Sequence, residues 1–388
     1  MISHRDSIPM LDLGLQHRTL GDKLLHAIQE AIASGQYTLG QAVNDFEISF
    51  ATACGTPFGV GVASETDAIT LGLQSCGIGK GDDVLMPAHA PISTLLGVVR
   101  SGAMPLLVDC DLETGLIDLM SAEKRITPRT RAIVPVHLYG QMVSPQQLLG
   151  LASTYDVMIF EDASHAPFAE RDGYRAGSVG MAAAFSFHPD RPLSALGDAA
   201  IVVTRESIVA QTVRSLRNYG ALQRHYHTEL GADSRMDTLQ AAVLNVKLPY
   251  LPVWMSDRQH IAQQYDQLFQ PLTAQGLVPL VNHCGSGHAY HSYVVRVTHD
   301  CPHDRTSLQT TLAAQGIQTA VHYPSPHYLQ PAFKYLGYQL GDFPNTETLC
   351  HDALLFPIYP GLSTPQIQTI GGVVTALVSS PTAIELHA

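Results

Sequence analysis

What most constrains this chain is a repeated alternation of short β-rich runs with stretches of helical length. The runs are Val84–Pro87, Pro105–Val108, Ala132–Val136, Val157–Phe160 and Ala200–Val203. One intervening stretch, Ser144–Tyr155, carries Leu148, Leu149 and Leu151 and leads into VMIFEDASHA. Upstream, Leu20–Ser34 places Leu24, Leu25, Ile28 and Ile32 on one helical face. Asp67–Cys76 reads as a second helix, with the preceding Ser-Glu-Thr capping its start. Alternation of this kind predicts a mostly parallel sheet covered by helices on both faces. Chemistry in such sheets gathers at the carboxyl ends of the strands. Those ends here are Pro87-Ala88-His89, Asp109, His137-Leu138-Tyr139, Glu161-Asp162 and Ser186-Phe187-His188.

Hydrophobic residues make up 45% of the 388 and charged residues 14%, enough for a large core and incompatible with general disorder. A polar helical stretch over Met255–Gln275, then a Pro/His-rich region over Pro279–Pro360, marks a change of character after Trp254. We therefore expect two domains, 1–250 and 251–388. The net charge of −12, with no block of Lys or Arg, argues against nucleic acid or an anionic membrane as partner. Six scattered cysteines lack a CxxC pair and read as buried thiols in a reducing compartment. Met1–Leu15 has no basic head followed by an apolar run, and no stretch approaches the roughly 18 apolar residues of a membrane span. The expected location is the cytoplasm.

Glu161-Asp162, at the end of an apolar strand, is the best single chemical signal. A carboxylate there can pair with a buried cationic nitrogen or a histidine, or simply cap a helix. His89, His137, His165 and His188 also lie at or near strand ends, where acid–base work, metal ligation and structural hydrogen bonding are all open. No HxH or HxxxH spacing links them, and we expect no metal site. His225-Tyr226-His227 has such spacing but lies in a polar stretch. Gly77-Ile78-Gly79-Lys80-Gly81-Asp82 follows a helix and precedes a strand, the wrong side for a phosphate cradle, and reads as a turn. There is no GxSxG nucleophile elbow.

Several segments together resemble the DegT-type sugar aminotransferases. They are VASETDAITLGLQSCGIGKGDDVLMPAH, ITPRTRAIVPVHLYGQ, VMIFEDASHA, AAFSFHPDRPLSALGDAAIVVT, RSLRNYG, SRMDTLQAAVLNVKLPYL and VHYPSPHYLQPAF, in family order across residues 8–378. The resemblance implies an α/β fold type I (aspartate aminotransferase-like) architecture. This has a large domain with a mostly parallel seven-stranded sheet and a smaller α+β C-terminal domain. It also implies a homodimer with active sites at the subunit interface, acting on small molecules.

Family members hold pyridoxal phosphate (PLP) on a lysine in a segment like S-F-x-x-x-K-x-L. The corresponding run, Ser186 to Leu193, carries Arg191 at that position. A guanidinium stays protonated and cannot form the covalent imine. Three further departures follow from the resemblance: Glu65 replaces the glycine of the S-G-T-D-A phosphate turn, Asp233 replaces an asparagine extended from the partner, and Pro91 replaces the aromatic that stacks on the cofactor ring. Each new carboxylate facing a phosphate at ~4 Å costs about 4 kcal/mol at an effective dielectric of 20.

The resulting expectation is a PLP-independent enzyme with no cofactor, performing dehydration, isomerisation or cyclisation on a small polar intermediate. His188 would be the general base, Arg191 would bind a carboxylate or stabilise an enolate, and Asp162 would orient His165 or His188. Glu65, Thr66, Ser186, His89, Tyr139 and Asp233 of the partner subunit would contact substrate. Two alternatives stand beside it. One is a nucleotide-sugar aminotransferase or dehydratase using PLP or its amine form (PMP). The other is a non-catalytic paralogue paired with an active aminotransferase.

Overall fold

The computed structural model describes residues 7–223 and 225–379; part of the Met1–Leu15 reading and the last residues of the expected second domain fall outside these. In chain order the helices are α1 (Leu13–Ser34), α2 (Gln41–Cys54), α3 (Glu65–Ser75), α4 (Ile92–Ser101), α5 (Leu119–Arg125), α6 (Pro145–Tyr155), α7 (Ser207–Leu216), α8 (Thr238–Lys247), α9 (Leu251–Phe269), α10 (Arg305–Ala314), α11 (Pro344–Asp352) and α12 (Thr364–Ser379). The strands of the large sheet are β1 (Phe58–Val62), β2 (Asp83–Pro87), β3 (Met104–Val108), β4 (Thr130–Ile133), β5 (Met158–Asp162), β8 (Ala182–Ser186) and β9 (Ala200–Thr204). Between β5 and β8 lies a two-stranded ribbon, β6 (Glu170–Arg171) with β7 (Tyr174–Arg175). A smaller antiparallel sheet is built from β10 (Leu277–Pro279), β11 (Tyr293–Val297) and β12 (Ala353–Phe356).

The seven strands are ordered β1-β9-β8-β5-β4-β2-β3, with β9 antiparallel to both neighbours and the other pairs parallel. This is the mostly parallel seven-stranded sheet expected. Its strands are almost wholly buried, as strands covered on both faces must be. One face carries α3, α4 and α7 through Ile69, Leu73, Val98 and Val213. On the other face, α1, α2 and α8 enclose Phe46, Phe50, Phe185 and Phe187, whose rings meet edge to face. A third core gathers Tyr265, Phe269, Phe356, Leu308 and Ile370 around the small sheet.

Several elements escaped the sequence reading, among them α2, β1 and the three strands of the small sheet, and one helix is longer than expected. α1 begins at Leu13 rather than Leu20 because the Asp12 carboxylate caps it, accepting from Leu15 N at 2.8 Å. α2 and β1 went unread; the two glycines in Phe-Gly-Val-Gly-Val dilute the pattern of β1. The Gly77–Asp82 segment is a turn, closed by Gly79 N donating to Asp82 Oδ2 at 2.9 Å. All six cysteines are free; Cys54, Cys110 and Cys350 are buried, but Cys76, Cys284 and Cys301 are only partly so. Among the described residues no helix is long and apolar enough to cross a membrane.

Candidate active site

Two helix starts frame the site. Ser64, extended at φ −152°, caps α3 by accepting from Asp67 N, and this puts Glu65 in the first turn. Gly97 lets α4 press against α3: a Cβ there would lie 2.6 Å from Ile69 Cβ. That close approach brings Ser93 and Thr94 of α4 beside Glu65 and the end of β5. Ser93 Oγ donates to Glu65 Oε1, and Thr94 Oγ1 donates to Asp162 Oδ2 at 2.6 Å.

Asp162 is buried, and its other oxygen accepts from Ser164 N at 3.1 Å. Burial, with the Glu65 charge second, raises its pKa to about 6 even though the Thr94 and Ser164 bonds pull it down. No cationic side chain bonds it among the described residues. It therefore orients neither His165 nor His188, contrary to expectation. Its predecessor Glu161 points to the opposite face of β5, as alternation requires. There Glu161 accepts from His137 Nε2 and from the backbone of Gly177, Val179 and Gly180.

Arg191 reaches across the site. Its Nη2 donates to Glu65 Oε2 at 2.7 Å, its Nη1 to His291 Nε2 at 3.3 Å, and the Asp190 carboxylate lies 3.5 Å away. Burial pulls its pKa down, but the Glu65 and Asp190 carboxylates more than offset this and raise it. His165 accepts from Tyr139 N at its Nδ1, so the neutral ring carries its proton on Nε2 and serves as a donor. The His165 and His291 rings lie 4.2 Å apart. Burial holds both pKa values well below normal, the Arg191 cation adding to this, so both rings are neutral. The approach of the 289–291 segment depends on Gly140, at φ 103°, where a Cβ would meet Tyr290 N at 2.6 Å.

His188 is the general-base candidate, and here the orienting carboxylate is Asp190, at 2.8 Å from Nδ1. The ring is 53% exposed, so it stands at the mouth of the site rather than inside it. Burial raises the Asp190 pKa, and Arg191 with His188 more than reverses that.

A cavity of about 380 Å³ is lined by Glu65, Thr66, Ser93, His165, Ser186, His188, Asp190, Arg191, His322, Tyr323 and His327, among others, while Asp162 and His291 are buried behind its lining. A larger hollow of about 680 Å³ lies near α5 and α6, and none of the candidate site residues lines it. Of the expected contacts, Glu65, Thr66 and Ser186 reach the cavity. His89 and Tyr139 do not line it: they bond each other at 2.9 Å, with His89 packed edge-on against Tyr323. Asp233 is exposed, held by Tyr219 Oη and Arg235 at 2.6 Å each, the Tyr219 bond foremost in lowering its pKa. His225 and His227 lie on an exposed loop, with His227 Nδ1 bonded to Tyr219 O. Among the described residues no three His, Cys, Asp or Glu side chains converge as a metal-ligand set.

Sequence reasoning missed His291, His322, Tyr323, Ser93 and Asp190. Asp190 was legible as the neighbour of Arg191. Tyr323 and His322 lay in the quoted VHYPSPH run, with nothing local to say which side chain turns inward.

The family model for the DegT/DnrJ/EryC1/StrS aminotransferases matches residues 18–375. A dTDP-3-amino-3,4,6-trideoxy-alpha-D-glucose transaminase of Streptomyces venezuelae is 38% identical over 359 residues, covering 92% of this chain and 93% of that one. S. venezuelae DesV, solved in complex with a ketimine intermediate, superposes with a TM-score of 0.92 at 36% identity over 96% of this chain and 99% of that one. NtdA from Bacillus subtilis, solved with bound cofactor PMP, has a TM-score of 0.87 at 26% identity, covering 96% of this chain and 86% of NtdA.

These findings overturn the expectation of a PLP-independent, cofactor-free lyase or isomerase: the matching family is one of aminotransferases, a relative is named a transaminase, and NtdA holds PMP. Glu65 is paired with Arg191 and Asp233 with Arg235, so neither carboxylate stands as the unpaired charge that the expectation assumed. The residues fit the amine form of the cofactor. Asp162 is a buried carboxylate lacking a cation, and Arg191 Nε is buried without a partner. The covalent anchor is missing, since no lysine lines the cavity and Lys247 Nζ is engaged by Ser194 and His17. Fold, site frame and match along the chain agree: this protein belongs to the DegT/DnrJ/EryC1/StrS aminotransferase family.

Proposed function

We propose that this chain is a nucleotide-sugar aminotransferase or dehydratase that holds the amine form of the B6 cofactor without a covalent link. The observation that carries the proposal is Asp162: a buried carboxylate at the end of β5, satisfied only by neutral donors, matched to a protonated ring nitrogen. When bound, the cofactor supplies an amino group and an electron sink for carbon–nitrogen or carbon–oxygen chemistry at a sugar carbon. Asp162 would hold the ring nitrogen. Thr66 and Ser186, with Arg191, would supply donors to the phosphate. His165 donates from Nε2 toward the cavity. With its Nδ1–H held by Asp190, His188 presents Nε2 as the site that takes or returns a proton.

In this reading Asp233 completes the site of a second copy from its exposed loop, in a homodimer located in the cytoplasm. The substrate is a small keto-sugar nucleotide, in keeping with the sugar nucleotides named for the relatives. Mass spectrometry of the denatured protein tests this: one pyridoxamine phosphate per chain, with no imine absorbance in the native protein, is the expected result. The missing lysine also favours a second reading, a non-catalytic subunit paired with an active homologue. Turnover of a nucleotide sugar by the purified chain, lost in His188→Gln, would exclude it.

A further inference from the structure

Glu65 stands where an incoming anion would stand. It occupies the first turn of α3, an eleven-residue helix whose leading N–H groups have no intrahelical partner. Its carboxylate accepts from Arg191 Nη2 and from Ser93 Oγ. Glu65 and Arg191 are 8% and 10% exposed, and both line the cavity. Helix N-terminus, guanidinium and hydroxyl, gathered around the Glu65 carboxylate at the cavity wall, are the donors a phosphate monoester takes.

The ion pair is a poor device for stability alone, because burying two charges costs about as much as their attraction returns. It also leaves Arg191 incompletely used. Arg191 Nε is buried with no partner, and Nη1 meets only a ring nitrogen at 3.3 Å and a carboxylate at 3.5 Å. A dianionic phosphate oxygen set would engage the guanidinium bidentately, which a carboxylate shared with Ser93 does not.

We propose that Glu65 is an internal stand-in for a ligand phosphate: it holds Arg191 at the first turn of α3 in the empty protein and is displaced when a phosphate monoester binds. No covalent bond changes; one carboxylate leaves the guanidinium and the phosphate takes its place. The inference rests on the reading above insofar as the ligand is pyridoxamine phosphate. Inorganic phosphate offers the same chemistry from another source.

Calorimetric titration of the full chain with pyridoxamine phosphate, pyridoxamine and inorganic phosphate separates these. Glu65→Gln, which keeps size and removes charge, should bind pyridoxamine phosphate at least about tenfold more tightly than the parent and pyridoxamine within about twofold. Arg191→Met should weaken pyridoxamine phosphate at least about tenfold and leave pyridoxamine little changed. Glu65→Ala serves as a second variant, with a thermal melt to certify folding of each. Equal or weaker binding of pyridoxamine phosphate by both folded Glu65 variants, with the parent still binding it, overturns the stand-in and leaves the cofactor reading intact. Tighter inorganic phosphate but no pyridoxamine phosphate binding in any protein upholds the stand-in and overturns the cofactor reading.

Discussion

Glu161 and Asp162 are consecutive residues with the same functional group, and they occupy opposite faces of one strand. Glu161 is saturated by an imidazole and three backbone N–H groups, on the side where the chain loops back after the β6–β7 ribbon. Asp162 faces α4, with one hydroxyl and one N–H as its partners. Equal burial therefore hides unequal satisfaction. A carboxylate whose lone pairs are all used is architecture, whereas one left short of a cation is available for a ligand.

The largest effect that can break this contrast is Glu161→Gln. It leaves His137 and three N–H groups competing for an amide, and should cost about 3–5 kcal/mol in denaturant unfolding. A loss near zero would mean Glu161 is no more structural than Asp162.

Asp162→Asn should act in the opposite sense at neutral pH. The folded-state pKa of Asp162, about 6, lies above its unfolded value. The ionised group therefore costs stability in the apo protein, a cost absent below roughly pH 4 and fully present above roughly pH 6. Removing it should make the variant relatively more stable at pH 8 than at pH 3 by up to about 3 kcal/mol. Pyridoxamine phosphate binding should meanwhile drop by about tenfold or more. A flat pH difference between the two proteins would show that Asp162 is not strained.

Thr94→Val removes the better of the two donors to Asp162. It should raise the carboxyl pKa further and change stability by about 1 kcal/mol, measurable as a shift in the pH dependence of pyridoxamine phosphate binding. Smallest of all should be Tyr139→Phe. It deletes one hydrogen bond to His89 behind the cavity, costs roughly 1 kcal/mol, and should leave cofactor affinity within about twofold.

Much of the large sheet was legible because its strands are short apolar runs with helical stretches between, a pattern that burial on both faces imposes on the sequence itself. β1 was not legible, since its glycines carry no hydrophobic signal. The site was half legible. Strand ends pointed to Asp162, Ser186 and His188, and the family resemblance pointed to Arg191 and Glu65. Glu65 and Arg191 read as two losses, one of charge balance and one of the lysine, with Arg191 able to offset only part of the first. They lie 126 residues apart, and no local rule says that two such side chains meet at 2.7 Å.

By itself, then, the sequence determined the architecture, the family, and the absence of a lysine at the cofactor position, because each is written in residue identity and order. The tertiary structure decided which of two adjacent carboxylates is free, that Asp190 rather than Asp162 holds His188, and that Glu65 and Arg191 cancel one another. Those outcomes depend on the side-chain direction at a strand end and on the closeness of α3 to α4. Both are fixed only when distant segments pack.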